Sequence, residues 1–334
     1  MQRSPKPSKS AITLEDIRAA HERIRGLAIE TPLKPAYSLS QRLGLPVHLK
    51  LETTQPTGAF KIRGAANAVL CLPREVRQRG VITMSSGNHG QALAYVAASL
   101  GIPCVICVSE QVPETKIEGI RRRGAEVLVS GPDQNSATRR AHQLAAQRGL
   151  TYISPFDDPR VIAGQGTIAL EVLQQAPQVD TLVVPVSGGG LIGGIALAAR
   201  ALRPEIRIYG VSQDLGPAMY ESLRAGKIVE VHEEPSWADA LQGGIPADNR
   251  YTFDLCRHHV DEITLLTETQ IAEAMVYALV HERLVLEGGG ASAIGALLKQ
   301  TPALQLGEEV AIVLTGDNVD PRRLVKLTQD LEEG

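Results

Sequence analysis

The sequence predicts an α/β fold built on parallel sheets and divided over two domains. Three observations predict it. Near-continuous apolar, β-branched runs alternate with helical patterns: "VITM" from Val81 precedes "QALAYVAASLG", "CVICVS" from Cys104 precedes "ETKIEGIRRRG", and "TLVVPVS" from Thr181 precedes "LIGGIALAARAL". Strands of that kind, separated by helices, belong to parallel sheets covered on both faces. The helical patterns stop at glycines, as at Gly101, Gly124 and Gly149, where a left-handed residue closes a helix without strain. A chain of 334 residues is also long for a single hydrophobic core.

Taken in order, "MQRSPKPSKS" is basic and polar with no apolar stretch behind it, which predicts a disordered tail over residues 1–10 rather than a signal peptide. "TLEDIRAAHERIRG" opens a helix with Thr13 as N-cap and Asp16 at the capping-box position. "VHLKLE" from Val47 alternates as a strand, "EVLVS" from Glu126 and "IRIYGVS" from Ile206 add two more, a further strand is expected near Thr151, and "VAIVLTG" from Val310 closes the series.

Composition excludes several classes. A net charge of -3 offers no field for nucleic acid or an anionic membrane, and 3% aromatics offer no base-stacking platform. No apolar run reaches spanning length, so a cytoplasmic protein is expected. Cys104 and Cys107 form C-x-x-C within a strand, where residues three apart face opposite ways and cannot grip one metal. They read as core cysteines.

Three glycine-rich loops carry the chemistry. "GGGLIGG" places Gly188, Gly190 and Gly193 as G-x-G-x-x-G between a strand and a helix, a phosphate cradle at a positive helix end. Asp214 lies about where a dinucleotide site wants its acid, so a nicotinamide reading stays open on spacing, as does a ligand-free turn. "SSGNHG" brings Ser85, Ser86, Gly87, Asn88 and His89 to a helix start suited to a carboxylate; His89 reads either as a base or as a structural histidine. "TGAFKIRGA" sets Lys61 between Phe60 and the cation Arg63. A surface ion pair needs no such setting, whereas a lysine that forms an imine is activated by partial burial and neighbouring cations. An imine lysine together with a phosphate cradle points to pyridoxal 5'-phosphate.

"TGAFKIRGA", "SSGNHGQALAYVA", "VIAGQGTIALEVL", "VVPVSGGGLIGGIA" and "LTGDNVD" stand in the order seen in the serine/threonine dehydratase and serine racemase family. The chain resembles that family from about Thr13 to about Asp320, and within it the hydroxyectoine-utilisation dehydratase branch. The resemblance implies a fold-type II, tryptophan-synthase-β-like enzyme with its cofactor in the cleft between two domains. Residues 1–78 and 158–334 would form the larger domain and 79–157 the smaller one. It implies that Lys61 holds the cofactor and takes the Cα proton. Asn88 would meet the ring hydroxyl, and Ser187, Gly188, Gly189, Gly190 and Leu191 the phosphate. Thr315 would face the ring nitrogen, Phe60 and Ala240 would flank the ring, and Glu287 would lie nearby. Ser85, Ser86, Gly87, Asn88 and His89 would receive the substrate carboxylate.

The implied reaction is loss of the β-hydroxyl of a 3-hydroxy amino acid to give a keto acid and ammonia. The alternative is racemisation, with Ser86 delivering a proton on the face opposite Lys61. A homodimer acting on a small amino acid is expected, and "ADALQGGIPADNR" (238–250) reads either as the reader of the substrate's far end or as a surface loop. The sequence departs from the family at Ala59, where serine is common, and at Asp317 and Ala240, where glycine is. Ser212, Gly216 and Ala218 occupy the positions where some relatives carry acidic cation ligands, so no metal is expected. The chain stops soon after "LTGDNVD", so the regulatory domain of biosynthetic threonine dehydratases, and feedback by isoleucine, are not expected.

Overall fold

Among the described residues ten strands order the chain, and their apolar residues dictate two sheets. In the computed structural model, residues 12–232, 234–300 and 304–332 are described; the tail expected over 1–10 lies outside them. The strands are β1 (Leu33–Pro35), β2 (Val47–Leu51), β3 (Val81–Met84), β4 (Cys104–Val108), β5 (Glu126–Val129), β6 (Thr151–Tyr152), β7 (Thr181–Pro185), β8 (Arg207–Gln213), β9 (Glu262–Leu266) and β10 (Val310–Leu314). Six form one sheet in the order β1-β2-β10-β7-β8-β9, and four form another in the order β5-β4-β3-β6. All pairings are parallel except β1 with β2, where Leu33 faces Lys50.

Both sheets are apolar on both faces. Along β7, Leu182 and Val184 pack into one cluster and Val183 into another; along β10, Ala311 and Val313 oppose Val310, Ile312 and Leu314. That alternation is the period-two rule applied to a sheet with helices on both sides. The same rule separates the two strand cysteines: Cys104 joins the cluster of Ile106 and Val108, Cys107 that of Val105. Burial pushes the Cys104 thiol up to about 12.

Helix ends follow local chemistry. Thr13 and Asp16 form a reciprocal capping box on Leu14–Arg23. Gly101 and Gly149 are left-handed C-caps, whereas Gly124 lies beyond the C-cap Arg122 of Glu114–Arg121. β1 and β9 escape the pattern reading. β1 has three residues, and β9 sits at a sheet edge with the polar start Glu262.

Parallel strands put their C-terminal ends on one side. β2 runs out toward the lysine loop, β3 into Ser85, β7 into Ser187 and β10 into Thr315. The lysine loop, the 187–191 loop and the turn at Thr315 therefore leave the same end of the six-stranded sheet, and the 85–90 loop of the other sheet reaches that turn through Asn88 and Asn318.

Candidate active site

The lysine loop is sewn to the end of β10 by backbone. Phe60 N–H donates to Thr315 O at 3.0 Å, Asp317 N–H donates to Gly58 O at 3.0 Å, and Ala59 bridges Gly316 antiparallel. Gly58 has φ +70°, and the Asp317 carboxylate covers the place where a side chain would stand. Lys61 then opens the helix Lys61–Leu70. This helix lies against Pro159–Gln175, where a Cβ on Gly164 would come within 2.5 Å of Arg63 O. Those small residues in "VIAGQGTIALEVL" allow the two backbones to approach.

The Lys61 ammonium donates to Pro155 O at 2.8 Å and lies 5.2 Å from the Phe60 ring centroid. Burial lowers its pKa to about 8, and the Glu287 carboxylate opposes that shift. The sequence reading assigned part of this activation to Arg63. The structure corrects it, because Arg63 sits two residues on, about 200° around the helix, and points into the interior. There its guanidinium bonds Glu52 at 2.8 Å and also pairs with Glu171, which in turn pairs with Lys50 at 2.6 Å. All four side chains are buried.

The "SSGNHG" loop leads into the helix Asn88–Leu100. Gly87 N–H donates to Ser85 Oγ at 3.3 Å, and Ser86 is half-buried beside it. A Cβ on Gly87 would meet nothing within 4 Å, so the loop presents its backbone to open space. The His89 side chain is 2% exposed, with Nε2 3.2 Å from Ile153 O, and burial pushes its pKa down to about 3. The ring is neutral and turned into the fold, so what His89 can offer a carboxylate is its N–H in the first turn. Asn88 donates to Glu287 Oε1 at 2.7 Å and accepts from Asn318 at 2.8 Å. Burial, with Asp239 and Asp317 nearby, raises Glu287 to about 7.

The "GGGLIGG" loop wraps around Phe156. A Cβ on Gly188 would lie 2.6 Å from that ring and one on Gly190 2.7 Å from its carbonyl, while Gly189 is left-handed at φ +85°. Leu191 follows in the first turn of Gly190–Leu202, where unsatisfied N–H groups and the helix dipole favour an anion. Ser187 Oγ donates to Gln242 O at 3.3 Å, which places part of the 238–250 segment beside this loop. Thr315 is buried. Ala240 is exposed, and a Cβ on Gly289 would lie 3.3 Å from it. Asp239, its neighbour, pairs with Lys116 at 2.8 Å.

A lysine of lowered pKa, held on Pro155 O beside the Phe156 that backs a glycine-built helix start, meets the needs of one cofactor chemistry. The pyridoxal-phosphate dependent enzyme profile matches residues 24–316. The chain belongs to that family. This pyridoxal-phosphate enzyme is 46% identical over 311 residues to a putative threonine dehydratase of Sinorhizobium fredii, covering 93% of each. It is 40% identical to an L-threonine ammonia-lyase of Thermotoga maritima, covering 92% of this chain and 76% of the other. Its structure superposes on maize serine racemase with a TM-score of 0.89 at 33% identity, covering 97% and 98% of the chains. The nicotinamide reading of "GGGLIGG" falls with this assignment, and Asp214 stands exposed past the end of β8.

The residues fit the cofactor. Lys61 has an amine that burial makes easier to deprotonate for the aldehyde, residues 187–191 form a cradle that side chains at 188 and 190 could not share with Phe156, and Asn88 holds an amide N–H₂ on Glu287, the carboxylate that also acts on Lys61. At the positions weighed for a cation, Ser212 donates to Val186 O at 2.9 Å and Gly216 is pressed against His232 O. Among the described residues no group of three or more His, Cys, Asp or Glu could hold a metal ion. No described helix is long and apolar enough to cross a membrane.

Sequence reasoning missed the segment after β6. Pro155 receives Lys61, Phe156 backs the glycine loop, and Asp157 accepts from the N–H groups of Arg250, Tyr251 and Thr252 at 2.8–3.0 Å. The available signal was "SPFDDP", a turn-rich run between a strand and a helix. Asn318, within "LTGDNVD", carries no local signal of its contact with Asn88.

Proposed function

We propose that this pyridoxal-phosphate enzyme is a dehydratase that removes the β-hydroxyl of a 3-hydroxy amino acid, giving a keto acid and ammonia. The observation that carries the reading is the Lys61 amine, half-buried, shifted to about 8 and held on Pro155 O, next to the Phe156 that backs the 187–191 loop. The cofactor supplies an electron sink next to the substrate Cα. Lys61 Nζ anchors it and then, as a free amine, takes the Cα proton. The N–H groups of residues 85–89 orient the carboxylate. The 187–191 turn holds the phosphate at the helix start. Thr315, a neutral hydroxyl at the ring-nitrogen position, adds no charge there, which suits elimination because the leaving group carries electrons away. Phe60 and Ala240 bound the ring faces.

In this reading the chain divides into a larger domain (1–78 and 158–334) and a smaller one (79–157), with the small domain bringing the carboxylate loop to the cleft. The protein works as a cytoplasmic homodimer. The substrate is threonine or serine, or a hydroxyectoine-derived amino acid, whose far end is read by residues 238–250. Ser187 against Gln242 supports that placement of the segment. A second reading, amino-acid racemisation with Ser86 as the opposing proton donor, is favoured by Ser86 in the loop facing open space and by the likeness to a serine racemase structure.

A panel of threonine, serine, 3-hydroxyaspartate and hydroxyectoine-derived amino acids, assayed for keto acid and for inverted enantiomer, tests both readings. Keto acid as the dominant product is expected. Predominant inversion would replace elimination by racemisation, and preference for threonine over every other candidate would remove the hydroxyectoine branch.

A further inference from the structure

We infer that Asn318 is a positioning residue: it sets the direction of the Asn88 amide and so makes Asn88 a hydrogen-bond donor at the cofactor opening. The inference rests on the pyridoxal-phosphate reading of the site and assigns a part that Lys61 and the glycine loops do not play.

A primary amide can usually turn over, because its oxygen and nitrogen ends are nearly the same shape. Here a chain of contacts fixes the direction, and it starts at an atom that cannot turn. Thr57 O is a backbone carbonyl in the lysine loop and can only accept. It takes one proton of Asn318 Nδ2 at 2.9 Å. The other contact of the same nitrogen is Asn88 Oδ1, at 2.8 Å. Turning Asn318 over would set its oxygen against Thr57 O and leave two acceptors facing each other. With Asn318 fixed, Asn88 must present its oxygen to Asn318 and its nitrogen to the other side. That nitrogen meets Glu287 Oε1 at 2.7 Å. The Asn88 N–H₂ has two protons and spends one there, so the second is offered to an acceptor in the opening.

The relay also joins three elements. Thr57 belongs to the lysine loop, Asn318 to the turn after β10, and Asn88 to the first turn of the helix that follows β3 of the other sheet. Asn318 is held over Gly58, where a Cβ would lie 3.1 Å from its Oδ1. The donor direction of Asn88 is thereby tied to the loop that carries Lys61.

The test uses cofactor-free protein titrated with pyridoxal phosphate, read by absorbance. It compares wild type, Asn318→Ala, Asn318→Asp, Asn88→Ala and the double variant Asn318→Ala/Asn88→Ala, with melting temperature measured on each. We expect Asn318→Ala to weaken cofactor binding about tenfold, roughly 1.4 kcal/mol. Asn318→Asp should weaken it more, because its oxygens cannot donate to Thr57 O or Asn88 Oδ1. In the Asn88→Ala background, Asn318→Ala should cost nothing further, since its effect passes through Asn88. Equal losses from Asn318→Ala with and without Asn88 would overturn the inference, as would wild-type affinity in Asn318→Asp. Should Asn318→Asp fail to fold, the cycle with alanine decides alone. Failure of wild type to bind pyridoxal phosphate in a Lys61-dependent way would instead overturn the reading of the site.

Discussion

Asp317 N–H donates to Gly58 O at 3.0 Å, and the carboxylate of the same Asp317 closes over Gly58 where a side chain would begin. The residue that departs from the family's glycine thus lies against the lysine loop. Its backbone does the pairing, and its side chain is half-buried, with burial raising its pKa.

Asp317→Gly keeps the backbone contact and should preserve elimination. Gly58→Ala meets both the carboxylate and a left-handed backbone, and should lower stability by about 1 kcal/mol or more. Turnover and thermal melts check both. Abolished activity in Asp317→Gly would give the carboxylate a part in the chemistry that its position over Gly58 does not suggest.

Lys61→Ala should lose the absorbance band of covalently attached cofactor and at least 10²-fold of elimination activity, the scale of a lost general base. With its pKa lowered to about 8, the free amine becomes available as pH rises through that value. The rate at which cofactor-free enzyme captures pyridoxal phosphate should climb with a midpoint near 8, measured by rapid mixing. A midpoint close to the ordinary 10.5 would mean that the amine is solvated.

Glu287 predicts a pH dependence of stability. Burial raises it from 4.5 to about 7. Between those values the folded chain keeps a proton that the unfolded chain has released. Its contribution to stability is therefore fully present below about pH 4.5 and is lost as pH rises through about 7. Glu287→Gln, which retains an oxygen for Asn88, cannot release a proton. Melts of the cofactor-free protein should show wild type losing stability relative to Glu287→Gln between pH 5 and 7. Parallel curves would show that the carboxyl titrates as it does in water.

Arg63→Met should destabilise the fold by about 3–5 kcal/mol, because it leaves the buried carboxylates Glu52 and Glu171 with Lys50 as their one fully buried cation among the described residues. Denaturant unfolding measures this. A loss below about 1 kcal/mol would mean that water enters the cluster when the guanidinium is removed.

The sequence by itself determined the architecture, because local chemistry carries it. Period-two burial in β7 and β10, the Thr13 cap and the glycine stops at 101 and 149 are readable within a few residues. It also marked Lys61 and the Gly188, Gly190 and Gly193 turn as candidates, since an imine lysine and a phosphate cradle need particular residue types at particular spacings, while the cofactor roles of Asn88, the rest of 187–191 and Thr315 entered through the family resemblance. Only the tertiary structure decided what those residues touch. Arg63 and Lys61 are two positions apart, yet helix rotation sends one into a buried charge cluster and the other to the opening. His89 points inward, for its ring packs under Ile153 O. The link from Thr57 through Asn318 and Asn88 to Glu287 joins residues up to 261 positions apart. No local pattern encodes such a link, because it forms only where parallel strands of two sheets bring their C-terminal loops together.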